Sequence, residues 1–228
     1  MKPVLLVTGG ARGIGRAIVA EFLKDHAVAA TYHTTEPDDA QDATADLLMI
    51  QADLSFPEAA RTVIDRTIAR FGRLDVIINN AGAIKTDAQD QGENHSINLL
   101  APMALLDAAL PHLASGASII NISSVNAVFP AMGALSYSAS KAALNTWTSG
   151  IAKTLGPRGI RVNGIAPGAI ETIDSPRPAS QVKAFVEMTA LGRIGVPQDI
   201  AKVARFLASE AAGFITGETL TVSGGYRL

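Results

Sequence analysis

The sequence contains no cysteine, which excludes disulfide bonds, thiolate catalysis and cysteine-ligated metal sites. No apolar run is long enough to cross a bilayer, and the first one, Val4–Val7, is too short for a signal peptide. With 19 basic and 21 acidic residues, the chain has no basic excess to neutralise a nucleic acid. His95 and His112 have no carboxylate at metal-ligand spacing. These absences predict a cytoplasmic protein that binds no nucleic acid, membrane or metal.

The chain has a composition typical of one large α/β domain, spanning residues 1–228 with 48% hydrophobic residues. Short, nearly continuous apolar runs predict strands buried on both faces at 4–7, 28–32, 47–51, 76–79, 118–122, 162–165 and 220–222. Longer stretches predict helices at roughly 13–24, 57–71, 93–113, 136–155, 180–189 and 197–208. This alternation predicts a single-domain Rossmann-type, doubly wound sheet of about seven parallel strands with helices on both faces.

Two segments interrupt the alternation. Residues 33–46 are polar and acidic, and we expect a loop or a short helix fragment there in place of a full crossover helix. Residues 171–179 contain two prolines and no periodicity. A long irregular segment late in an α/β domain is often a lid, so 171–190 is the predicted lid over a built-in substrate site.

A glycine-rich turn, Thr8-Gly9-Gly10-Ala11-Arg12-Gly13-Ile14-Gly15, follows the first predicted strand and opens the first helix. Glycines at such a turn let the backbone approach a pyrophosphate, and the helix start offers unpaired N–H groups to the anion. The spacing differs from the general dinucleotide fingerprint, and an ordinary tight turn would look similar. The strand before it and the helix after it favour phosphate binding.

Further motifs follow in a fixed order along the chain. They are Asp53-Leu54, Asn79-Asn80-Ala81-Gly82, Asn98, Ser123-Ser124, Tyr137-Ser138-Ala139-Ser140-Lys141, Asn163, Pro167-Gly168, Thr216-Gly217 and Ser223-Gly224-Gly225. With the glycine-rich turn, this set resembles the short-chain dehydrogenase/reductase family over essentially the whole chain, particularly its 3-oxoacyl reductase-like members. The resemblance implies an oxidoreductase that transfers a hydride between a nicotinamide and a carbonyl or secondary alcohol.

The resemblance also implies the positions that contact an NAD(P)(H) cofactor. Phosphate and ribose contacts fall on Gly9, Arg12, Gly13, Ile14 and Gly15, and adenosine contacts on Asp53, Leu54, Asn80, Ala81 and Gly82. Pro167, Gly168, Ile170 and Thr172 would flank the nicotinamide, and Tyr137 and Lys141 would also contact the cofactor. Candidate substrate-lining residues are Ile84, Asn126, Phe129, Met132 and Ala169.

The implied catalytic tetrad is Asn98, Ser124, Tyr137 and Lys141. Tyr137 and Lys141 lie four positions apart on a predicted helix and therefore share one face. We expect the ammonium to lower the pKa of the phenol, which lets Tyr137 exchange a proton with the substrate oxygen. Ser124 would donate to that oxygen. Asn98 would hold a water that connects Lys141 to solvent.

The cofactor preference depends on the residues that follow the second strand, where NAD-specific relatives place an acid for the ribose 2′-hydroxyl. This chain has His33 and Thr34 there, and Arg12 is expected nearby. These donors favour NADP(H), with NAD(H) as the alternative.

Relatives commonly associate through the helices at 93–113 and 136–155, so the resemblance implies a homo-oligomer, a tetramer or a dimer. Two other functions stay open from the residues. They are a catalytically silent dinucleotide-binding sensor or scaffold and a different Rossmann-type enzyme such as a methyltransferase. The presence of both Tyr137 and Lys141 argues against each.

Overall fold

A computed structural model describes residues 2–34, 45–174 and 176–226. Seven parallel strands form one sheet in the order β3-β2-β1-β4-β5-β6-β7. The strands are β1 Val4–Val7, β2 Ala27–Tyr32, β3 Leu47–Gln51, β4 Leu74–Asn79, β5 Leu113–Ile122, β6 Arg161–Pro167 and β7 Thr219–Val222. The predicted fold class is confirmed. The strand order reverses direction at β1 and β4, and ligands of such sheets bind at the carboxyl ends beside this point.

Seven α-helices connect the strands within the described residues. They are α1 Gly13–Phe22, α2 Pro57–Phe71, α3 Gly92–His95, α4 Ala101–Ala109, α5 Leu135–Leu155, α6 Ala179–Glu187 and α7 Pro197–Ala208. Pro57 and Pro197 begin α2 and α7, where a missing N–H costs nothing because the first helical N–H groups have no partner within the helix. Gly72 ends α2 in the left-handed conformation.

The sheet is buried on both faces, which explains why its strands read as continuous apolar runs. On β1, Val4 and Leu6 contribute to the core cluster beneath α2, α4 and α5. Leu5 and Val7 contribute to the opposite cluster, beneath α1 and α7. The two helical layers therefore hold the carboxyl ends of the strands in a fixed arrangement.

The helical stretch predicted at roughly 93–113 is confirmed in extent, but it is not a regular α-helix throughout. After α3 the chain makes a π-helical turn at Ser96–Leu100, resumes as α4 and ends in a 3₁₀ turn at Leu110–His112. Pro102 has no N–H and cannot donate the regular helical bond to the carbonyl of Asn98, four residues earlier. The π turn therefore surrounds a predicted site residue, as π turns often do.

The remaining differences concern boundaries. The strand predicted at 118–122 begins five residues earlier, at Leu113, because Leu74 pairs with Leu113 before a register shift in β4–β5 pairing. The loop or helix fragment predicted at 33–46 falls largely outside the described residues.

Within the part of the chain that the structure describes, no helix is both long and apolar enough for a membrane span.

Candidate functional site

Two adjoining cavities lie at the carboxyl ends of the strands. The glycine-loop cavity, about 600 Å³, is bordered by the turn after β1, and the tyrosine cavity, about 870 Å³, by the start of α5. The residues common to both linings are Ile14, Asn80, Gly82, Ile84 and Thr172. The two cavities therefore form one continuous cleft that an elongated ligand can occupy.

The glycine-rich turn forms the floor of the glycine-loop cavity. A Cβ atom on Gly15 would lie 2.0 Å from the carbonyl oxygen of Gly9, so no side chain fits where α1 starts. The backbone N–H of Gly13 points outward and donates to the carboxylate of Asp174, at 3.0 Å. This N–H thus already binds an anionic oxygen, as expected for a helix start that receives a phosphate.

Side chains from β1 and β4 join the glycine-rich turn to the next loop. The amide of Asn80 donates to the carbonyls of Thr8 and Gly9, at 2.8 and 3.1 Å. The hydroxyl of Thr8 in turn accepts from the backbone N–H groups of Asn80 and Ala81, at 3.0 and 2.9 Å. These reciprocal bonds fix the backbone of both turns before any ligand binds.

The far end of the glycine-loop cavity is formed by the ends of β2 and β3. Asp53 accepts from the backbone N–H and the hydroxyl of Ser55, at 3.0 and 2.7 Å, and these bonds lower the pKa of its carboxyl. His33 is largely exposed, with its Nε2 atom 3.6 Å from Asp53. Arg12 and Thr34 line the same end and are also exposed.

Ser124, Tyr137 and Lys141 meet in the tyrosine cavity. Ser124 follows β5 and caps the short 3₁₀ turn Val125–Ala127, where its hydroxyl oxygen accepts from the backbone N–H of Asn126 at 3.1 Å. Tyr137 and Lys141 project from the first turns of α5, and all three side chains are buried. Ser123, by contrast, donates to the main-chain carbonyl of Lys141 at 3.4 Å, which is a structural contact.

The ammonium of Lys141 is fully buried and has a main-chain partner. Its Nζ atom donates to the carbonyl oxygen of Ile122, at 2.8 Å. Burial lowers the pKa of Lys141 to about 8. A Cβ atom on Gly82 would lie 3.6 Å from this Nζ and 3.1 Å from the side-chain oxygen of Asn98, so glycine keeps the space beside the ammonium open.

Tyr137 is affected mainly by its burial. Burial raises the pKa of its phenol above the ordinary value, and a hydrogen bond with Ser124 opposes this rise. The expected lowering of this pKa by Lys141 is thus not found for these side chains alone, since burial and the Ser124 hydrogen bond are the two causes of the shift.

Asn98 is the predicted site residue that lines neither cavity. Its side chain is completely buried, accepting from the N–H of Ala83 and donating to the carbonyl of Ala83 and the hydroxyl of Ser140, all at 2.9 Å. The side chain therefore joins the loop after β4 to α5. Its predicted water contact would have to use the main-chain carbonyl, which lies in the π turn beside Pro102.

All other predicted contact residues line the cleft, including the five candidate substrate-lining residues. Pro167 at the end of β6 borders the tyrosine cavity together with Gly168 and Ile170, which follow it. Thr172 lies where the cavities join. Sequence reasoning missed Thr8, Asp174 and Arg177. Thr8 opens the glycine-rich turn and could have been found there, whereas the other two lie in an aperiodic segment with no signal of their own.

Comparison with known proteins identifies the class that this cleft defines. A family model described as enoyl-(acyl carrier protein) reductase matches residues 9–227. The chain belongs to the short-chain dehydrogenase/reductase family, and is therefore an oxidoreductase of the NAD(P)-dependent type.

No group of three or more histidine or acidic residues in the described ranges could hold a metal ion.

Individual relatives extend over nearly the full chain. An uncharacterized oxidoreductase of Methylorubrum extorquens is 37% identical, with 98% of this chain and 97% of the relative covered. The L-fucose dehydrogenase of Bos taurus is 36% identical, at coverages of 99% and 89%. A short-chain dehydrogenase from Burkholderia cenocepacia, solved in complex with NADP, has 34% identity and a TM-score of 0.91, with 98% and 97% of the two chains covered.

Proposed function

We propose that this chain is a carbonyl reductase or alcohol dehydrogenase that prefers NADP(H), with Tyr137 as its general acid and base. The observation that carries the proposal is the meeting of Ser124, Tyr137 and Lys141 in one cavity that continues into the glycine-loop cavity. The Gly13 N–H that bonds a carboxylate suits the cofactor's pyrophosphate. The absence of a Cβ on Gly15 lets the turn close against the carbonyl of Gly9. Bound nicotinamide supplies or accepts the hydride.

The protein side chains hold the substrate oxygen and manage its proton. Ser124 donates a hydrogen bond to the oxygen and stabilises the charge that develops on it. The hydroxyl of Tyr137 gives that oxygen a proton during reduction, and its phenolate removes one during oxidation. Lys141, held by the carbonyl of Ile122, favours the phenolate and anchors the nicotinamide ribose. The main-chain carbonyl of Asn98 holds the water through which Lys141 exchanges protons with solvent.

The preference for NADP(H) rests on Arg12, His33 and Thr34 at the far end of the glycine-loop cavity. The solved relative from Burkholderia cenocepacia in complex with NADP supports this choice. Arg12 would pair with the 2′-phosphate through charge-assisted hydrogen bonds, and His33 and Thr34 would add donors. NAD(H) lacks that phosphate and gains nothing from Arg12.

Replacing Arg12 with Gln tests this preference. We expect the Kd for NADPH to rise roughly 10-fold, as for the loss of one exposed charge-assisted contact, while the Kd for NADH stays nearly constant. Titrations of each protein with NADPH and NADH, followed by nicotinamide fluorescence, measure both constants. Arg61→Gln, an exposed charge change on α2 outside both cavities, is the control. A wild-type preference for NADH would contradict the assignment.

Asp174 is expected to oppose cofactor binding because its carboxylate occupies the Gly13 N–H. This carboxylate must leave before a phosphate can bind there, which lowers the apparent affinity. Asp174→Ala should therefore lower the Kd for NADPH roughly 3- to 10-fold. The same titration measures the change, with Asp65→Ala on α2 as the control. Weaker NADPH binding by Asp174→Ala would show that the aspartate assists the cofactor.

We also propose that the protein is a homo-oligomer, a tetramer or a dimer, that associates through α4 and α5. Leu100 and Leu135, beside the starts of these helices, are more than half exposed and could be covered by a second copy.

A catalytically silent dinucleotide-binding protein is the other candidate function. A catalytically silent protein would not require Tyr137 and Lys141 to be buried together in one cavity.

A further inference from the structure

The tyrosine cavity contains one cation that the proposed reaction does not use. Among its described lining residues the charged side chains are those of Lys141 and Arg177, and none is acidic. The glycine-loop cavity differs, because Asp53, Glu93 and Asp174 all line it. Lys141 serves the reaction itself, so Arg177 remains as a positive charge in the part of the cleft where the substrate binds.

Contacts with the segment after β6 and with α6 hold the Arg177 side chain in place. Its Nη1 atom donates to the carbonyl of Ile170, and its backbone N–H donates to Glu171 at 3.1 Å. The guanidinium also lies over the ring of Phe185, 5.6 Å from its centroid. Glu171 supports the arginine at 3.9 Å but is not among the cavity-lining residues. These contacts position the guanidinium before any ligand binds, and its acidic partner Glu171 does not line the cavity.

The guanidinium keeps hydrogen-bonding capacity for a ligand. Within the described residues, the hydrogen bond and the ion pair of the Arg177 side chain both use Nη1, which leaves the N–H groups of Nε and Nη2 for a ligand. Arginine carries five N–H donors in a planar fork that matches a carboxylate or a phosphate. Most of the other side chains that line the tyrosine cavity are apolar, including the buried Ile122, Val125 and Ile170.

We propose that Arg177 selects substrates that carry an anionic group, a carboxylate or a phosphate, on the same molecule as the reacting carbonyl. This inference rests on the proposed function and names its substrate class. The anion bonds Nε and Nη2 of Arg177 while the carbonyl oxygen lies between Ser124 and Tyr137. The apolar walls accommodate the carbon chain between the two groups.

Paired substrates that differ only in charge test this inference. The first arm compares straight-chain oxo acids of increasing length with their methyl esters. The second compares dihydroxyacetone phosphate with dihydroxyacetone, which separates phosphate from carboxylate recognition. NADPH consumption gives kcat and KM for wild type, Arg177→Gln, Arg177→Lys and the control Lys183→Gln, an exposed cation on α6 outside the cavity.

Wild type should have a higher kcat/KM for the anionic member of at least one arm, at a preferred chain length. Arg177→Gln should lower kcat/KM for that anion roughly 10- to 100-fold, mainly through KM, and change the neutral member less than about 3-fold. Arg177→Lys should keep part of the preference, and Lys183→Gln all of it. Persisting turnover of the neutral member shows that Arg177→Gln is folded.

Two results would overturn the inference. One is a wild type that turns over no anion faster than its neutral counterpart. The other is an Arg177→Gln variant that slows both members equally, because a purely structural role for Arg177 predicts that result. Failure of the proposed function would be separate, since it would appear as a wild type that does not bind NADPH, or that binds it and reduces neither member of any pair.

Discussion

Replacing Tyr137 with Phe should lower kcat roughly 10²- to 10⁴-fold, the usual contribution of a positioned general acid or base. The variant keeps the ring that fills the buried position on α5 but removes the phenol oxygen to which we assign the proton transfer. The KM for NADPH should change little, because the substitution leaves the proposed cofactor contacts of the glycine-loop cavity unchanged. Steady-state kinetics with NADPH and a reactive ketone measure both parameters.

Tyr226→Phe is the matched control for this substitution. Tyr226 lines the same cavity, and the change again removes a single phenol oxygen. Its effect on kcat should be less than about 10-fold, since the residue has no assigned role in proton transfer. Full turnover by Tyr137→Phe would contradict the proposed mechanism, whatever the result for Tyr226→Phe.

Replacing Lys141 with Met should affect activity and stability in opposite directions. Turnover should fall roughly 10²-fold or more, because the proposed mechanism relies on this cation to favour the ionised phenol when the cofactor is bound. At about pH 7 the variant should nevertheless unfold at a higher temperature than wild type. The buried ammonium costs about 3 kcal/mol there, by comparison of its pKa of about 8 with about 10.4 for an unfolded chain. Loss of the bond to the Ile122 carbonyl offsets part of this gain.

The stability difference should depend on pH. Below about pH 8 Lys141 is protonated in both the folded and the unfolded protein, so the penalty is present in full. Between about pH 8 and 10.4 the unfolded chain binds the proton and the folded protein does not, so wild type gains stability as pH rises. The advantage of Lys141→Met should therefore shrink over this interval.

Thermal unfolding of both proteins across this pH interval measures the effect. A domain of this size shifts by roughly 2–4 °C per kcal/mol, so a gap of a few degrees is expected near neutral pH. Lys153→Met, an exposed position on the same helix, should show no pH-dependent gap. A Lys141→Met protein that is less stable at all pH values would contradict the account of the buried charge.

Much of the fold was predictable because local signals and burial agreed. The bounds of β1, α2 and α7 match the prediction, since first-turn prolines mark two helix starts and a glycine-rich turn ends the strand. The π turn at Ser96–Leu100 was not predicted, although Pro102 indicates it in the sequence. Apolar periodicity detects a helical face, but it does not detect the loss of one backbone donor.

The candidate site likewise contains residues that the sequence predicts and contacts that it does not predict. Residues at or just beyond strand ends, such as Pro167 and Ser124, were predictable because parallel strands bring their carboxyl ends together. The contact between Asp174 and Gly13 joins positions 161 residues apart and depends on the course of an irregular segment. The raised pKa of Tyr137 depends on burial, which the order of motifs does not reveal.

The most direct test of the central claim is hydride transfer itself. Wild type and Tyr137→Phe are incubated with NADPH that carries deuterium at the transferable position and with a panel of ketones, and the products are analysed by mass spectrometry. The account predicts an alcohol with one deuterium on the carbinol carbon from wild type, and at most a small fraction of that amount from Tyr137→Phe. Tight NADPH binding by wild type without deuterated alcohol from any ketone would contradict it and favour a catalytically silent dinucleotide-binding protein.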